Sequence, residues 1–182
     1  MVLLESIEIS LGTEMPDFEL KAPHGKIFKS DCLYAEKGLL VVFTCNHCPY
    51  ANAVWPRLIK LARYARDLGI NTVAINPNLH PDYPEDAPEK MLEKMVKLGI
   101  EFPYLVDETQ QIAKAFKAQC TPDIYLFNKE HKLVYHGRID NNWQDESKVT
   151  KEELKEAIVN LVNNKPISQK QYPSMGCSIK WR

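Results

Sequence analysis

The sequence predicts an α/β fold in which a mixed central sheet is flanked by helices. Apolar runs of strand length alternate with segments whose apolar residues recur at helical spacing, a pattern typical of parallel strands joined by crossover helices. Hairpins predicted at residues 17–30 and 124–139 add antiparallel pairs, which makes the sheet mixed. The pair Cys45 and Cys48 lies between a predicted strand and a predicted helix, which indicates a functional site there.

The first half of the chain predicts an N-terminal hairpin followed by a strand–helix–strand unit. The hairpin turns at residues 23–25, and an apolar strand over 39–44 leads into the cysteine pair. Apolar residues at helical spacing then predict a helix that ends at Gly69. Pro56 lies inside this helix, so a kink or a split is expected there. Residues 70–75 form the next predicted strand.

A proline-rich loop and an inserted helix follow the second strand. Residues 76–88 hold four prolines, which predicts a loop on the surface. Pro88 can open a helix at its first position, and Gly99 can close it. Residues 102–106 then form a third predicted strand.

Two capping boxes are predicted in the remaining part of the chain. Asp107 and Gln110 form the first, at the start of a helix that runs to about Lys117. Residues 150–153 form the second and open the last helix. Residues 163–182 have no regular pattern, so this tail must either dock on the domain or stay mobile.

Size, charge and apolar content narrow the functional class. The 182 residues predict a single domain, with 1–12 as an N-terminal extension and 163–182 as a C-terminal tail. The formal charge of −1 gives no reason to expect nucleic acid as a partner. The chain has no apolar run near the roughly 18 residues of a membrane span, and its start lacks a signal-peptide pattern. We therefore expect a cytoplasmic protein.

The spacing of Cys45 and Cys48 predicts a dithiol redox site. Structural disulfides are rare in the cytosol, so a Cys-x-x-Cys pair there is more often catalytic or metal-binding. A helix N-terminus favours a thiolate, which is the reactive form of cysteine. Cys45 is expected to be the more exposed thiol and the nucleophile, and Cys48 to resolve the mixed disulfide. The alternative is half of a zinc site, which would need further ligands from elsewhere in the chain.

Several motifs together give the chain a family resemblance. The motif around the thiols is Cys45-Asn46-His47-Cys48-Pro49-Tyr50. The other matching segments are residues 41–44, 83–86, 102–110, 121–127, 135–140 and 176–181. With these segments the chain resembles the thioredoxin-like superfamily, and within it the alkyl hydroperoxide reductase/thiol-specific antioxidant, or redoxin, branch. It is similar to bacterial proteins described as thiol-disulfide isomerases or thioredoxins.

The resemblance implies a thioredoxin fold with an inserted helix around residues 88–99. It also implies that Pro122 is a cis-proline facing the dithiol, with the backbone of Thr121 exposed to pair with a substrate chain. One departure concerns the buried carboxylate that thioredoxin carries six residues before its first catalytic cysteine. Leu39 occupies that position here, and Ala51 occupies the position of the Glu found in other relatives. The acid or base that assists exchange is therefore unidentified in the sequence.

Asn46 and His47 lie between the thiols and are predicted to tune their pKa values. A protonated His47 would favour the adjacent thiolate and make the disulfide more oxidising, as in the strongly oxidising periplasmic relatives. The alternative is a solvated loop histidine with little electrostatic effect. No buried carboxylate is expected to oppose the thiolate's charge.

A peroxidase is the alternative that the same motif leaves open. Peroxiredoxins have Thr-x-x-Cys-Pro at this place, so Cys48 would hold the peroxidatic position and Cys45 would replace the threonine. Arg138 could supply a cation near the site, or could be a solvent-exposed arginine at a strand edge. Cys120 and Cys177 are candidates for auxiliary redox thiols, or else small buried residues.

We therefore expect a thiol-disulfide oxidoreductase that works without a bound cofactor or metal. Its substrates would be protein or small-molecule disulfides and thiols, and its alternative substrates peroxides. A non-enzymatic module that binds a metal or a partner is the third interpretation. The physiological partner, the direction of electron flow and the oligomeric state are not determined by the sequence.

Overall fold

The structure is a computed structural model that describes residues 2–182. Met1, the first residue of the predicted N-terminal extension, lies outside the described residues. The strands are β1 (Leu3–Glu5), β2 (Glu19–Lys21), β3 (Ile27–Lys29), β4 (Gly38–Phe43), β5 (Ile70–Asn76), β6 (Tyr104–Val106), β7 (Cys120–Thr121), β8 (Asp123–Asn128), β9 (Leu133–His136) and β10 (Met175–Ser178). The helices are α1 (Pro49–Asp67), α2 (Pro88–Leu98), α3 (Gln111–Ala115) and α4 (Glu153–Val162).

Seven of the described strands form a mixed central sheet in the order β3-β2-β6-β5-β4-β8-β9. β4 pairs in parallel with β5, and β5 pairs in parallel with β6. β8 pairs antiparallel with β4 and with β9, and the hairpin β2–β3 joins at the other edge. The predicted α/β class, mixed sheet, N-terminal hairpin and inserted helix α2 are thereby confirmed.

Strand β4 is buried on both faces, and this places the cysteine pair at the centre of the sheet. Leu40 and Val42 face a core that α1, α2 and α4 cover. Leu39, Val41 and Phe43 face a second core, which the N-terminal segment and α3 cover. A continuous apolar run is what a strand with two covered faces requires. The chain therefore leaves β4 beneath packed layers and delivers Cys45 into the interior.

The C-terminal tail docks through a strand that the sequence pattern did not indicate. Strand β10 lies between β1 and β7 in a small antiparallel sheet. Cys177 pairs with Leu3 on one side and with Thr121 on the other. The N-terminal extension and the tail therefore hold each other in place, and the tail reaches the predicted cis-proline segment.

Both predicted capping boxes are wrong in detail. The Asp107 carboxylate accepts from the N–H groups of Ile112 and Ala113, whereas the Gln110 side chain donates to backbone carbonyls of Pro77 and Lys180. Helix α3 is accordingly short and ends at Ala115 rather than near Lys117. The Gln110 side chain bonds to segments that are distant in sequence, and local patterns do not encode such contacts.

The start of α4 and the course of α1 also differ from expectation. The Thr150 hydroxyl accepts from the Asn141 side chain, and α4 begins at Glu153. Helix α1 continues through Pro56, so the alternative of a split helix is wrong. A proline removes a single helical hydrogen bond, and burial of the apolar face of α1 outweighs that loss.

Gly176 permits the close approach of β10 to β7, which gives a first prediction. A Cβ at Gly176 would lie 1.9 Å from the Thr121 carbonyl oxygen, which is rigid backbone. Gly176→Ala should therefore destabilise the protein by roughly 1–3 kcal/mol, as overpacking commonly does. Chemical unfolding measures this change in the free energy of unfolding.

The matched control is Gly25→Ala, because a Cβ there meets nothing within 4 Å. That control should cost only the backbone strain of its positive φ of 92°. Equal stabilities of Gly176→Ala and the wild type would show that β10 does not sit against β7 as described.

Candidate active site

The cysteine pair lies at the N-terminus of helix α1. Cys48 is the N-cap of the helix, and its sulfur accepts a hydrogen bond from the N–H of Ala51 at 3.5 Å. Pro49 occupies the first helical position, where its missing N–H costs nothing. The free N–H groups and the dipole of a 19-residue helix favour an anion at this end.

Both thiols of the pair are buried. Cys45 and Cys48 are each 0% exposed, and they cluster with Ala51 and Cys177. The expectation that Cys45 is the more exposed thiol is therefore wrong. Strand β10 covers the pair, and that covering could not be read from the spacing of the motif.

The environments of the two thiols separate their pKa values. The pKa of Cys48 is lowered to about 5, and the hydrogen bond with Cys45 is the largest cause. Burial acts in the opposite direction, whereas the Cys177 thiol and two backbone N–H groups lower the pKa further. Burial raises the pKa of Cys45 well above its usual value, and the Cys48 hydrogen bond and the Asp86 carboxylate act in the same direction. The thiolate is thus favoured on Cys48, opposite to the expectation from the sequence.

Thr121 contacts both sulfurs. Its hydroxyl is 3.2 Å from Cys45 Sγ, and its carbonyl is 3.1 Å from Cys48 Sγ. The Thr121–Pro122 peptide is cis, as the resemblance implied. The expectation that the Thr121 backbone is open to a substrate strand is wrong, because β10 is already paired with it and Thr121 is buried.

His47 is tied to a buried carboxylate rather than being solvated. Its Nδ1 contacts Asp86 Oδ2, and its ring stacks on Tyr83 with centroids 4.3 Å apart. The side chains of His47 and Asp86 are 5% and 0% exposed. Among residues 2–182, His47 Nε2 has no hydrogen-bond partner. The loop-histidine alternative is therefore wrong, and whether His47 tunes the thiols stays a prediction.

Asn46 fixes the loop between the thiols. Its backbone N–H donates to Asp86 at 2.5 Å, and its side-chain amide donates to the Glu85 carbonyl at 2.8 Å. The Tyr104 hydroxyl donates to Asn46 Oδ1 at 3.1 Å. These contacts identify Asn46 as a positioning residue for the loop, and a direct effect on the thiol pKa stays a prediction.

Asp86 is the functional candidate that sequence reasoning missed. It lies in a short 3₁₀ helix, Pro84–Asp86, and supplies the buried carboxylate that is absent at Leu39, which is a core residue. The expectation that no buried carboxylate opposes a thiolate is therefore wrong. Its segment, residues 83–86, was among the family-like motifs, so the signal was present without a role attached.

A cation on the inserted helix was missed as well. The Lys94 ammonium donates to Asn52 Oδ1 and lies over the Trp55 ring. Burial lowers the pKa of Lys94, whereas negative charge on the dithiol and on Asp86 acts to raise it. Helix α2 thus contributes a positive charge close to the dithiol.

The three predicted auxiliary residues, Arg138, Cys120 and Cys177, differ in what their side chains contact. The Arg138 guanidinium donates to Glu153 at 2.5 and 3.0 Å and lies over the Tyr172 ring, so it is engaged in an ion pair. Cys120 is buried, and its sulfur contacts the carbonyls of Pro122 and Ser174 at 3.5 and 3.9 Å. Cys177 Sγ lies 2.7 Å from Cys48 Sγ. Of these residues, Cys177 is the one that reaches a thiol of the pair.

A metal could be held by a cluster at the same place. Ligating atoms of Cys45, His47 and Asp86 lie within 4.8 Å of one another. Thiolate, imidazole and carboxylate are all zinc ligands, and a tetrahedral site would take a fourth. The direct contact pairs His47 Nδ1 with Asp86 without an ion, and His47 Nε2 has no hydrogen-bond partner among residues 2–182.

Comparison with known proteins identifies the family. The AhpC/TSA family profile matches residues 11–136. The chain belongs to the AhpC/TSA family. Over 126 residues it is 25% identical to the thiol-disulfide oxidoreductase ResA of Bacillus subtilis. This alignment covers 69% of this chain and 66% of ResA. The match thus spans just under two thirds of that relative's length.

Solved structures place the chain in the thioredoxin-like fold. A crystal structure of an uncharacterized conserved protein from Geobacillus kaustophilus is 38% identical, with a TM-score of 0.94 over 100% of this chain and 97% of that one. A secreted Mycobacterium tuberculosis disulfide oxidoreductase homologous to E. coli DsbE is 17% identical, with a TM-score of 0.59 over 78% and 94%. The AhpC/TSA protein is thus similar to thiol-disulfide oxidoreductases. Among residues 2–182, no helix has the length and apolar character needed to cross a membrane.

The Asp86 carboxylate provides a prediction about the electrostatics of the AhpC/TSA site. Asp86→Asn removes a negative charge that raises the pKa of Cys45. In a Cys48→Ser background, Cys45 should therefore form its thiolate at lower pH and be alkylated faster at neutral pH. Mass spectrometry of the Cys45 peptide at a series of pH values measures the midpoint.

Asp82→Asn is the matched control, since that carboxylate is 81% exposed and should leave the midpoint unchanged. A thermal unfolding curve establishes that each variant is folded. An identical Cys45 midpoint with and without the Asp86 charge would contradict this account of the site.

Proposed function

We propose that this AhpC/TSA protein is a thiol-disulfide oxidoreductase in which Cys48 is the attacking thiolate and Cys45 exchanges with it. The observation that carries the proposal is the position of the Cys48 sulfur at the N-cap of α1, where it accepts a hydrogen bond from the Ala51 N–H at 3.5 Å and lies 2.7 Å from Cys177 Sγ. These surroundings and the Cys45 thiol lower the pKa of Cys48 to about 5, against the opposing effect of burial. A thiolate that accepts several hydrogen bonds has a depressed pKa and is populated at neutral pH.

The proposed cycle begins with attack by the Cys48 thiolate on a substrate disulfide. A bond forms between Cys48 Sγ and one substrate sulfur, and the other substrate sulfur leaves as a thiolate. Cys45 then attacks Cys48 Sγ, expels the second substrate thiolate and leaves a Cys45–Cys48 disulfide. A dithiol reductant returns the protein to its starting state. Substrate is reduced, and the protein's thiols are oxidised.

The His47–Asp86 pair can receive the proton that Cys45 must lose. A ring nitrogen of His47 and a carboxylate oxygen of Asp86 each lie within 4.8 Å of the Cys45 sulfur. Formation of a mixed disulfide at Cys48 also removes the thiolate whose charge and hydrogen bond raise the pKa of Cys45. Both effects make Cys45 more reactive after the first step than before it.

Small disulfides are the substrate class that the geometry favours. A protein substrate would be expected to pair with the backbone beside the cis-proline, and β10 occupies that edge. A substrate chain would have to displace β10 from Thr121, whereas a small disulfide would need only a local opening at the buried Cys48 sulfur. Reduction of a disulfide requires that the protein's own thiols be kept reduced, and the cytosol provides such conditions. We therefore propose a cytoplasmic location.

A thiol peroxidase is the second candidate. It is favoured by the pKa of about 5 at Cys48, the position that matches the peroxidatic cysteine of peroxiredoxins. Hydrogen peroxide would convert the Cys48 thiolate to a sulfenic acid, which Cys45 could condense with to form a disulfide and water. Cys45 replaces the threonine of the peroxiredoxin motif, which counts against the peroxidase.

Reaction of single variants with iodoacetamide tests which thiol is the nucleophile. The Cys48 peptide of the wild type should be modified with a pH midpoint near 5, because its thiolate is stabilised down to that pH. The Cys48→Ser protein should lose this low-pH reaction, and Cys45→Ser should retain modification at Cys48. If Cys45 alone carries the label at low pH, the two roles are reversed.

Substrate comparison tests the reaction class. With a dithiol reductant, the protein should reduce oxidised glutathione faster than insulin, because the β7 edge is covered. Faster consumption of hydrogen peroxide, with a sulfenic acid trapped on Cys48, would favour the peroxidase. Stoichiometric zinc in freshly purified protein, together with no turnover of either substrate, would favour the metal-binding module.

A further inference from the structure

We propose that Cys177 is a third redox-active thiol, delivered by strand β10, which forms a disulfide with Cys48 and so competes with Cys45 to resolve the mixed disulfide. This inference rests on the proposed function, because it assigns a second resolving residue to the same site. The contact between the two sulfurs carries it.

The sulfurs of Cys48 and Cys177 are already within reach of each other. Their separation of 2.7 Å is about 0.7 Å longer than a disulfide bond. The two residues are 129 positions apart in the chain, so the fold and not local sequence brings them together. Formation of the bond would require the sulfurs to approach by this distance and the Cβ–S–S–Cβ dihedral angle to reach about 90°.

Strand β10 is built into its place beside the cis-proline segment. Cys177 pairs with Thr121, and Ser178 pairs with Cys120. A Cβ at Gly176 would lie 1.9 Å from the Thr121 carbonyl oxygen, so a residue without a side chain is required for this approach. The strand therefore occupies the edge that the family resemblance reserved for a substrate chain, and it presents a cysteine to Cys48.

Hydrogen bonds hold the segment on both sides of Cys177. On one side, the Ser174 hydroxyl donates to the Gly137 carbonyl at 2.7 Å. On the other side, the Lys180 N–H donates to Asn78 Oδ1 at 2.9 Å, and the Gln110 side chain donates to the Lys180 carbonyl at 2.7 Å. The tail is thus fixed at several points, and Cys177 is held close to Cys48.

Formation of a mixed disulfide on Cys48 removes two of the influences that raise the pKa of Cys177. Burial, followed by the hydrogen bond and the charge of Cys48, raises the pKa of Cys177 to about 12, while Lys180 acts to lower it. The two contributions from Cys48 vanish when its sulfur is bonded to substrate. The Asp86 carboxylate, by contrast, continues to oppose a thiolate on Cys45.

The proposed step balances in atoms and electrons. The Cys177 thiolate attacks Cys48 Sγ of the mixed disulfide, the bond between Cys48 and the substrate sulfur breaks, and the substrate thiolate leaves. The Cys177 proton passes to solvent or to the leaving thiolate. The product is a Cys48–Cys177 disulfide, which Cys45 or a dithiol reductant can open by exchange.

Oxidised glutathione provides the test on the full-length protein. The Cys45→Ser variant should release both glutathiones, and a non-reducing digest should contain the Cys48 peptide joined to the Cys177 peptide. The Cys45→Ser/Cys177→Ser double variant should release one glutathione and keep the other on Cys48. Retention of glutathione on Cys48 in the Cys45→Ser single variant, without the joined peptides, would overturn the proposal.

Cys120→Ser is the matched control, since Cys120 is a buried thiol on the neighbouring strand whose sulfur contacts backbone carbonyls. It should leave the disulfide map unchanged. Cys177→Ala and Cys177→Ser are compared, and a thermal unfolding curve is recorded for each. The comparison separates loss of the thiol from loss of the docked strand. A Cys48–Cys177 disulfide that is present in the wild-type digest and absent from both folded variants supports the proposal, and a wild-type digest without it counts against competition with Cys45.

A diamide arm keeps this test separate from the proposed function. Diamide, an azodicarboxamide oxidant, joins two neighbouring thiols and is itself reduced, so no attack on a substrate disulfide is needed. In Cys45→Ser it should yield the joined Cys48 and Cys177 peptides. Their formation supports the inference even if the wild type fails to reduce glutathione disulfide, and their absence overturns it.

Discussion

The close approach of strand β10 to the cis-proline segment is the contact on which the site depends. Gly176 lies against the Thr121 carbonyl, and this approach puts Cys177 beside Cys48. The same contact closes the Thr121 backbone to other chains and removes the dithiol from solvent. One strand from the far end of the chain therefore buries the dithiol, places the Cys177 thiol beside Cys48 and limits the access of substrates to both.

Burial makes each charge at the site depend on its partner. His47 and Asp86 contact each other inside the protein, and the buried Arg57 of α1 donates to Asp140 at 2.5 Å. An unpaired charge in such a place would cost several kcal/mol. The Asp86 charge disfavours a thiolate on Cys45, whereas the helix N-terminus favours one on Cys48. Two cysteines of one short motif thereby acquire different pKa values.

The site combines features that relatives in the AhpC/TSA family and the thioredoxin-like fold use separately. The Cys-x-x-Cys spacing permits dithiol exchange, and in our second proposal Cys48 would correspond to the peroxidatic cysteine of peroxiredoxins. Leu39 of β4 stands where thioredoxin has its buried acid, and a buried carboxylate, Asp86, instead reaches the site from the 3₁₀ helix before α2. The electrostatic effect of a carboxylate depends on its distance from the sulfur, so a different segment can supply it.

The sequence by itself determined the α/β class, the order of the main elements and the position of the dithiol between β4 and α1. These features depend on local periodicity and on residues such as Pro88 and Gly99, whose backbone preferences act within a few residues. The family-like motifs added the cis peptide at Pro122 and pointed to the segment that contains Asp86, without a role for it.

The tertiary structure decided which thiol is favoured as the thiolate, what covers it and which acid lies beside it. Cys177, Asp86 and Lys94 come from three segments that are distant from the motif in sequence. Burial and electrostatic interaction depend on distances in space, which local patterns do not specify. The first capping box failed for the same reason, because the Gln110 side chain found partners in remote segments. The chemistry at the site is therefore set by side chains that only folding brings together.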